Sequence, residues 1–86
     1  MAKKGSQKTI EVEGKKYILQ HPGTRFSVKM RDMANVNGQF VEEKYYEEIM
    51  KHVIFTEDGK QTNWDYWDEN EGFNEVIMEA VRFLNA

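Results

Sequence analysis

The stretch Phe40 to Ile54, FVEEKYYEEIMKHVI, constrains the fold more than any other part of the chain. Val41, Tyr45, Tyr46, Ile49, Met50 and Val53 recur at the i, i+4, i+8, i+12 spacing of one wide apolar helical stripe. Glu42, Glu43, Lys44, Glu47, Glu48 and Lys51 occupy the opposite face. Glu47 precedes Lys51 by four residues, a favourable order worth a few tenths of a kcal/mol. The pattern predicts a central helix over 40–54 that other elements must cover.

A hairpin is the first such element. Thr9-Ile10-Glu11-Val12 alternates, Glu13-Gly14 supplies a two-residue turn, and Lys16-Tyr17-Ile18-Leu19 returns. In that register Val12 faces Lys15, Glu11 faces Lys16 and Ile10 faces Tyr17. One face then carries Ile10, Val12, Tyr17 and Leu19, and Glu11 and Lys16 pair on the other. An isolated hairpin is marginal in water, so this one needs helices against its apolar face. His21-Pro22-Gly23 ends it. Thr24 then predicts the N-cap of a helix over 24–36, with Phe26, Met30, Met33 and Ala34 on one side and Asn35 to Gly38 as its terminator. Thr56 to Thr62 reads as a polar loop. Asn63 caps a short helix over 63–68, and a last helix over 71–85 presents Phe73, Val76, Ile77, Ala80, Val81 and Leu84 to the core. Residues 1–7 read as a frayed, disordered terminus. The expected fold is α+β: one domain of an N-terminal β-hairpin packed on three to four short α-helices.

Composition limits the function classes. The 86 residues contain no cysteine, which removes disulfides and thiolate metal sites. No apolar run reaches the length of a membrane span and the start lacks a signal peptide's apolar segment, so the expected location is the cytoplasm. The net charge of -3 divides unevenly: residues 1–31 hold eight Lys or Arg against two acids, +6, and residues 32–86 hold four against thirteen, -9. That polarity favours self-association or a basic partner for the acidic half. No basic cluster is dense enough to point to nucleic acid.

Motifs for chemistry are few. His21 and His52 lack ligand-spaced partners, Ser6 and Ser27 stand outside any nucleophile elbow, and no glycine-rich phosphate loop occurs. Asp68-Glu69-Asn70-Glu71-Gly72 with Glu79 echoes a calcium loop, but its sixth position is Phe73 where Gly is required. No cofactor, metal or catalytic residue is expected, and the chain does not read as an enzyme. The unusual feature is aromatic. Trp64, Tyr66 and Trp67 fall within four residues, and Tyr45 and Tyr46 add two more. Such side chains either fill the core or anchor protein interfaces, because they combine a large apolar area with a polar tip.

The motifs Pro22-Gly23-x-Arg25, Lys29-Met30-x-Asp32, Gly38, Tyr45-Tyr46-Glu47-Glu48, Val53-Ile54, Trp64-Asp65-Tyr66, Phe73 and Arg82-Phe83-Leu84 occur in this order. Together they resemble the small tail assembly chaperones of long-tailed bacteriophages and prophages of Gram-positive bacteria, over most of residues 8–84. Members of that family often place a Pro after the Val-Ile pair, where this chain has Phe55-Thr56-Glu57. The resemblance implies a non-enzymatic bacteriophage protein of the host cytoplasm that coats the tape measure protein and keeps it soluble. Tail tube protein then polymerises around the client, and the chaperone leaves before the virion is mature. The resemblance further implies that a longer frameshifted form recruits the tube protein. On this reading Tyr45, Tyr46, Ile49, Trp64, Tyr66 and Trp67 supply client or neighbour contacts, with self-association along the client. Two rivals accompany it: a tail-completion or head–tail joining protein that stays in the virion, and a small acidic inhibitor that mimics DNA.

Overall fold

The computed structural model describes residues 4–85. Strands β1 (Gln7–Val12) and β2 (Lys15–Gln20) form the expected hairpin, with Val12 opposite Lys15, Glu11 opposite Lys16 and Ile10 opposite Tyr17. Glu13 and Gly14 both hold left-handed angles, φ 52° and 75°. Those angles give the two-residue turn a twist that matches the strands it joins. Val12, Tyr17 and Leu19 are buried on one face of the sheet, with Ile10 packed partly against them. The hairpin extends past the expected boundary, because His21 N–H donates to Ser6 C=O at 2.8 Å and Gly5 N–H donates to His21 C=O at 2.8 Å. The disordered terminus expected over residues 1–7 is therefore corrected for residues 4–7, and residues 1–3 lie outside the described residues.

After Pro22 and Gly23 comes α1 (Thr24–Met33). Its cap residue is Gly23 rather than Thr24, which makes no side-chain capping bond. Gly23 C=O receives both the N–H and the hydroxyl of Ser27, each at 3.0 Å, while the Gly23 N–H donates to Nδ1 of buried His21. The helix stops three residues earlier than the expected 24–36. Asn35–Val36 (β3) and Gln39–Phe40 (β4) pair as a second small hairpin, with Asn37 and Gly38 at φ 54° and 79°. An Asn-Gly dipeptide serves a hairpin turn as readily as a helix terminus, and here the turn wins.

The central helix α2 runs Glu42–His52, shorter at both ends than 40–54. Glu42 and Glu43 sit in its first turn and Lys51 and His52 in its last, which suits the helix dipole. Ile54–Thr56 forms a third strand, β5, on the outer side of β2, with Ile54 opposite Leu19 and Thr56 opposite Tyr17. Gln20 N–H donates to Val53 C=O at 2.9 Å. The run Val53-Ile54-Phe55-Thr56 is all β-branched or aromatic, and β2 offered an unpaired edge, so sheet geometry overrides continuation of the helix. Sheet order is β1-β2-β5.

Two helices close the chain. Helix α3 (Trp64–Glu69) is capped by Asn63, whose side chain accepts the Tyr66 N–H at 2.8 Å. Helix α4 (Phe73–Leu84) starts at Phe73, two residues later than expected, from Gly72 at φ 97°. A Cβ on Gly72 would stand 2.6 Å from Val12 Cγ1. Only glycine lets the chain turn there with β1 so close.

The core is one cluster. Tyr17 and Leu19 of β2 meet Met30, Ala34, Ile49, Met50, Val53, Ile54, Val76, Ile77 and Ala80. The architecture is thus the α+β arrangement expected from the sequence, with helices over the apolar face of an antiparallel sheet that has one strand more than the hairpin.

Candidate interaction surface

An aromatic seam connects the surface to the core. It begins at Phe40 on β4, 51% exposed, whose ring meets Tyr45 at 5.4 Å. Tyr45 touches Tyr46 at 6.1 Å, and Tyr46 meets Phe73 edge-on at 6.0 Å. Phe73 is the branch point, with Trp64 at 5.6 Å on the outer side and Trp67 at 5.7 Å on the inner. Trp67 continues inward to Tyr66 at 4.8 Å and Tyr17 at 5.4 Å. Edge-to-face and tilted pairs at these separations each add about 0.5–1.5 kcal/mol beyond the area they bury. At its outer ends Phe40 and Trp64 reach solvent.

Polar groups fix its members. Trp64 Nε1 donates to Glu47 at 3.0 Å, so Glu47 holds the indole rather than the expected Lys51. Lys51 stands 3.6 Å from Glu48, which also faces His52 at 3.6 Å, and the His52 ring packs edge-on against Phe26 at 4.8 Å. Tyr46 donates to Glu42 at 2.7 Å; that bond first, and then burial, raises its phenol above the ordinary range. Tyr17 and Tyr66 share a hydrogen bond of 2.8 Å between their hydroxyls. Burial first, and then Tyr66, pushes the Tyr17 phenol far upward. The Trp67 Nε1–H has no partner among the described residues.

The six residues expected to touch a partner divide. Trp64 is 36% exposed, and Tyr46 and Tyr66 are partly buried. Tyr45, Ile49 and Trp67 are buried in the core cluster, so a partner does not reach them in the folded state. Their place follows from packing: Tyr45 and Ile49 lie on the inner stripe of α2, and Trp67 is enclosed by Tyr17, Tyr66 and Phe73. Sequence reasoning missed Phe40 and Phe73. Phe40 was placed as the first residue of a helix, whereas the Asn37-Gly38 turn sets it on a short exposed strand.

Beside Trp64 a shallow recess of about 260 Å³ is lined by Glu47, Met50, Lys51, Thr62, Asn63 and Trp64. Its size suits one or two side chains rather than a whole small ligand. Apolar floor and charged rim together favour an amphipathic partner. Of the acids on the two flanking helices, Glu42, Glu43, Glu47 and Glu48 on α2 and Asp65, Asp68 and Glu69 on α3, Glu47 lines the recess itself. Among the described residues no three His or acidic side chains converge to hold a metal ion, and the calcium-like spacing is broken where α4 starts at Phe73. No helix of the described residues is long and apolar enough to cross a membrane. Comparison with protein-family models, curated proteins and solved structures finds no match to this chain.

Proposed function

We propose that this chain is a phage tail assembly chaperone that binds the tape measure protein and keeps it soluble during tail assembly. The motif order from Pro22-Gly23 to Arg82-Phe83-Leu84 supports the reading. One structural observation carries it further: the aromatic seam that ends in Phe40 and Trp64, with an apolar recess rimmed by Glu47 and Lys51 beside Trp64. A holdase requires modest, repeated apolar contacts rather than a deep pocket, and the bound form of its client is stabilised with the logarithm of chaperone concentration over Kd. A long helical client offers one apolar stripe after another, and avidity along it raises occupancy without any new contact. The client stripe docks as an amphipathic helix, with its basic residues toward the acids of α2 and α3. Tail tube protein is the second partner, reached through a longer form of the chain. The working location is the host cytoplasm, and the protein leaves before the virion matures.

Co-expression tests this. Tape measure protein made alone is expected to sediment, and made with this chain it is expected to remain in the soluble fraction. Immunoblots of purified phage particles are expected to lack the chain. A client equally insoluble with and without it, or a stoichiometric band in mature particles, overturns the proposal.

A further inference from the structure

We propose that the open edge of β1 and the groove beside it form a symmetric docking surface for a second copy of this chain. Among the described residues β1 pairs with β2 alone. The bond from His21 N–H to Ser6 C=O fixes the phase of that ladder. Even-numbered residues of β1 bond to β2, and the N–H and C=O groups of Gln7, Thr9 and Glu11 therefore point outward. An edge of this kind is a template for another strand.

The groove next to it, of about 600 Å³, lies between β1 and α4. Ile10, Val12 and Met78 supply its apolar lining, and Met78 is 51% exposed. Its charge is lopsided. At one end Lys8 and Arg82 share Glu79, at 3.5 and 2.9 Å, which leaves one positive charge over. At the other end stands Glu75, for which the described residues provide no ion pair. A two-fold axis lays the basic end of one groove over the acidic end of the other. A foreign strand gains the same main-chain bonds without this charge match, so a second copy is the occupant.

Geometry agrees with charge. Antiparallel self-pairing matches outward residues with outward residues, which allows the register that sets Ile10 opposite its own copy and Glu11 opposite Thr9 of the second copy. Helix α4 packs across both β1 and β2. Its axis then stands about half a strand spacing inside β1, and with strands about 4.8 Å apart the two α4 axes come to lie about 10 Å apart. That is the upper end of ordinary helix–helix packing, with medium side chains between the axes. Met78 fills the space from both sides. This surface shares no lining residue with the Phe40–Trp64 seam, so its test is separate from that of the client reading.

Sedimentation equilibrium across concentration provides the test. The expected particle has twice the 10.2 kDa chain mass. Met78→Lys sets two cations face to face, and Thr9→Pro puts a ring where an outward N–H stood. Each is expected to weaken the dimer at least about tenfold while far-UV circular dichroism is unchanged. Arg82→Glu is expected to weaken it likewise, and the swapped pair Arg82→Glu with Glu75→Arg to restore it. A monomer at millimolar concentration overturns the proposal. So does a dimer indifferent to Met78→Lys, a change at an exposed position that leaves the core intact, or a charge swap that fails to restore association.

Discussion

Trp67→Ala and Trp64→Ala remove the same side chain three residues apart, and the structure assigns them very different costs. Trp67 is 8% exposed, enclosed by Tyr17, Tyr66 and Phe73. Roughly 200 Å² of buried indole at about 25 cal/mol per Å² is worth about 5 kcal/mol. The partnerless Nε1–H offsets about 1–3 kcal/mol of that. Truncation also leaves a cavity that relaxes only in part, so the expected loss is about 3–5 kcal/mol. Against the roughly 5–15 kcal/mol stability of a typical domain, that brings the variant close to unfolding. Trp64 is 36% exposed and holds one surface hydrogen bond to Glu47, and its removal is expected to cost about 1 kcal/mol. Trp67→Phe keeps most ring contacts and deletes the orphaned donor, so it is expected within about 1 kcal/mol of the parent. Urea denaturation followed by far-UV circular dichroism measures all three. Equal losses for the two alanine variants, or a loss under about 1 kcal/mol for Trp67→Ala, would refute the division of the seam into core and surface halves.

Other outcomes are equally specific. Gly72→Ala is expected to cost at least about 2 kcal/mol, because it joins left-handed strain to a contact 2.6 Å from Val12 Cγ1. Gly14→Ala, with nothing within 4 Å of its Cβ, is expected to cost about 1 kcal/mol, and thermal melts of the two variants should rank them in that order. The raised phenols of Tyr17 and Tyr46 favour the neutral form in the folded state. Their contribution to stability is complete below about pH 10 and is lost as pH rises beyond it, so stability is expected to fall on the alkaline side. A Tyr17 phenol that ionises in the still-folded protein at the same pH as in the unfolded chain would contradict its burial.

The hairpin was legible down to its register, because two separate signals agreed: alternation along Thr9–Val12 and Tyr17–Leu19, and a turn able to take positive φ at Glu13 and Gly14. The last helix was legible too, since Val76, Ile77, Ala80 and Leu84 form a stripe that no strand period explains. Apart from the terminus, where residues 4–7 extend the hairpin, the losses in the fold occurred at junctions. Val53 and Ile54 fit the end of the α2 stripe as well as they fit a buried strand, and only the free edge of β2, a non-local fact, decides between them. Asn37-Gly38 serves a helix end or a hairpin turn, and the choice carried Phe40 from an interior helix position to an exposed strand. The candidate site suffered for a related reason. Aromatic richness marks the neighbourhood of an interface, but which of Trp64 and Trp67 faces outward depends on the angle at which α3 crosses Tyr17 and Phe73, and composition does not encode that angle.

The central claim is that the outer end of the seam receives the tape measure protein. Titrating isotope-labelled chain with amphipathic segments of that protein, while following its two indole N–H resonances, tests it most directly. The account predicts a saturating shift of the Trp64 signal, together with changes at Phe40 and Tyr46, and a stationary Trp67 signal. No change with any segment, or changes that spare Trp64 and Phe40, would contradict it.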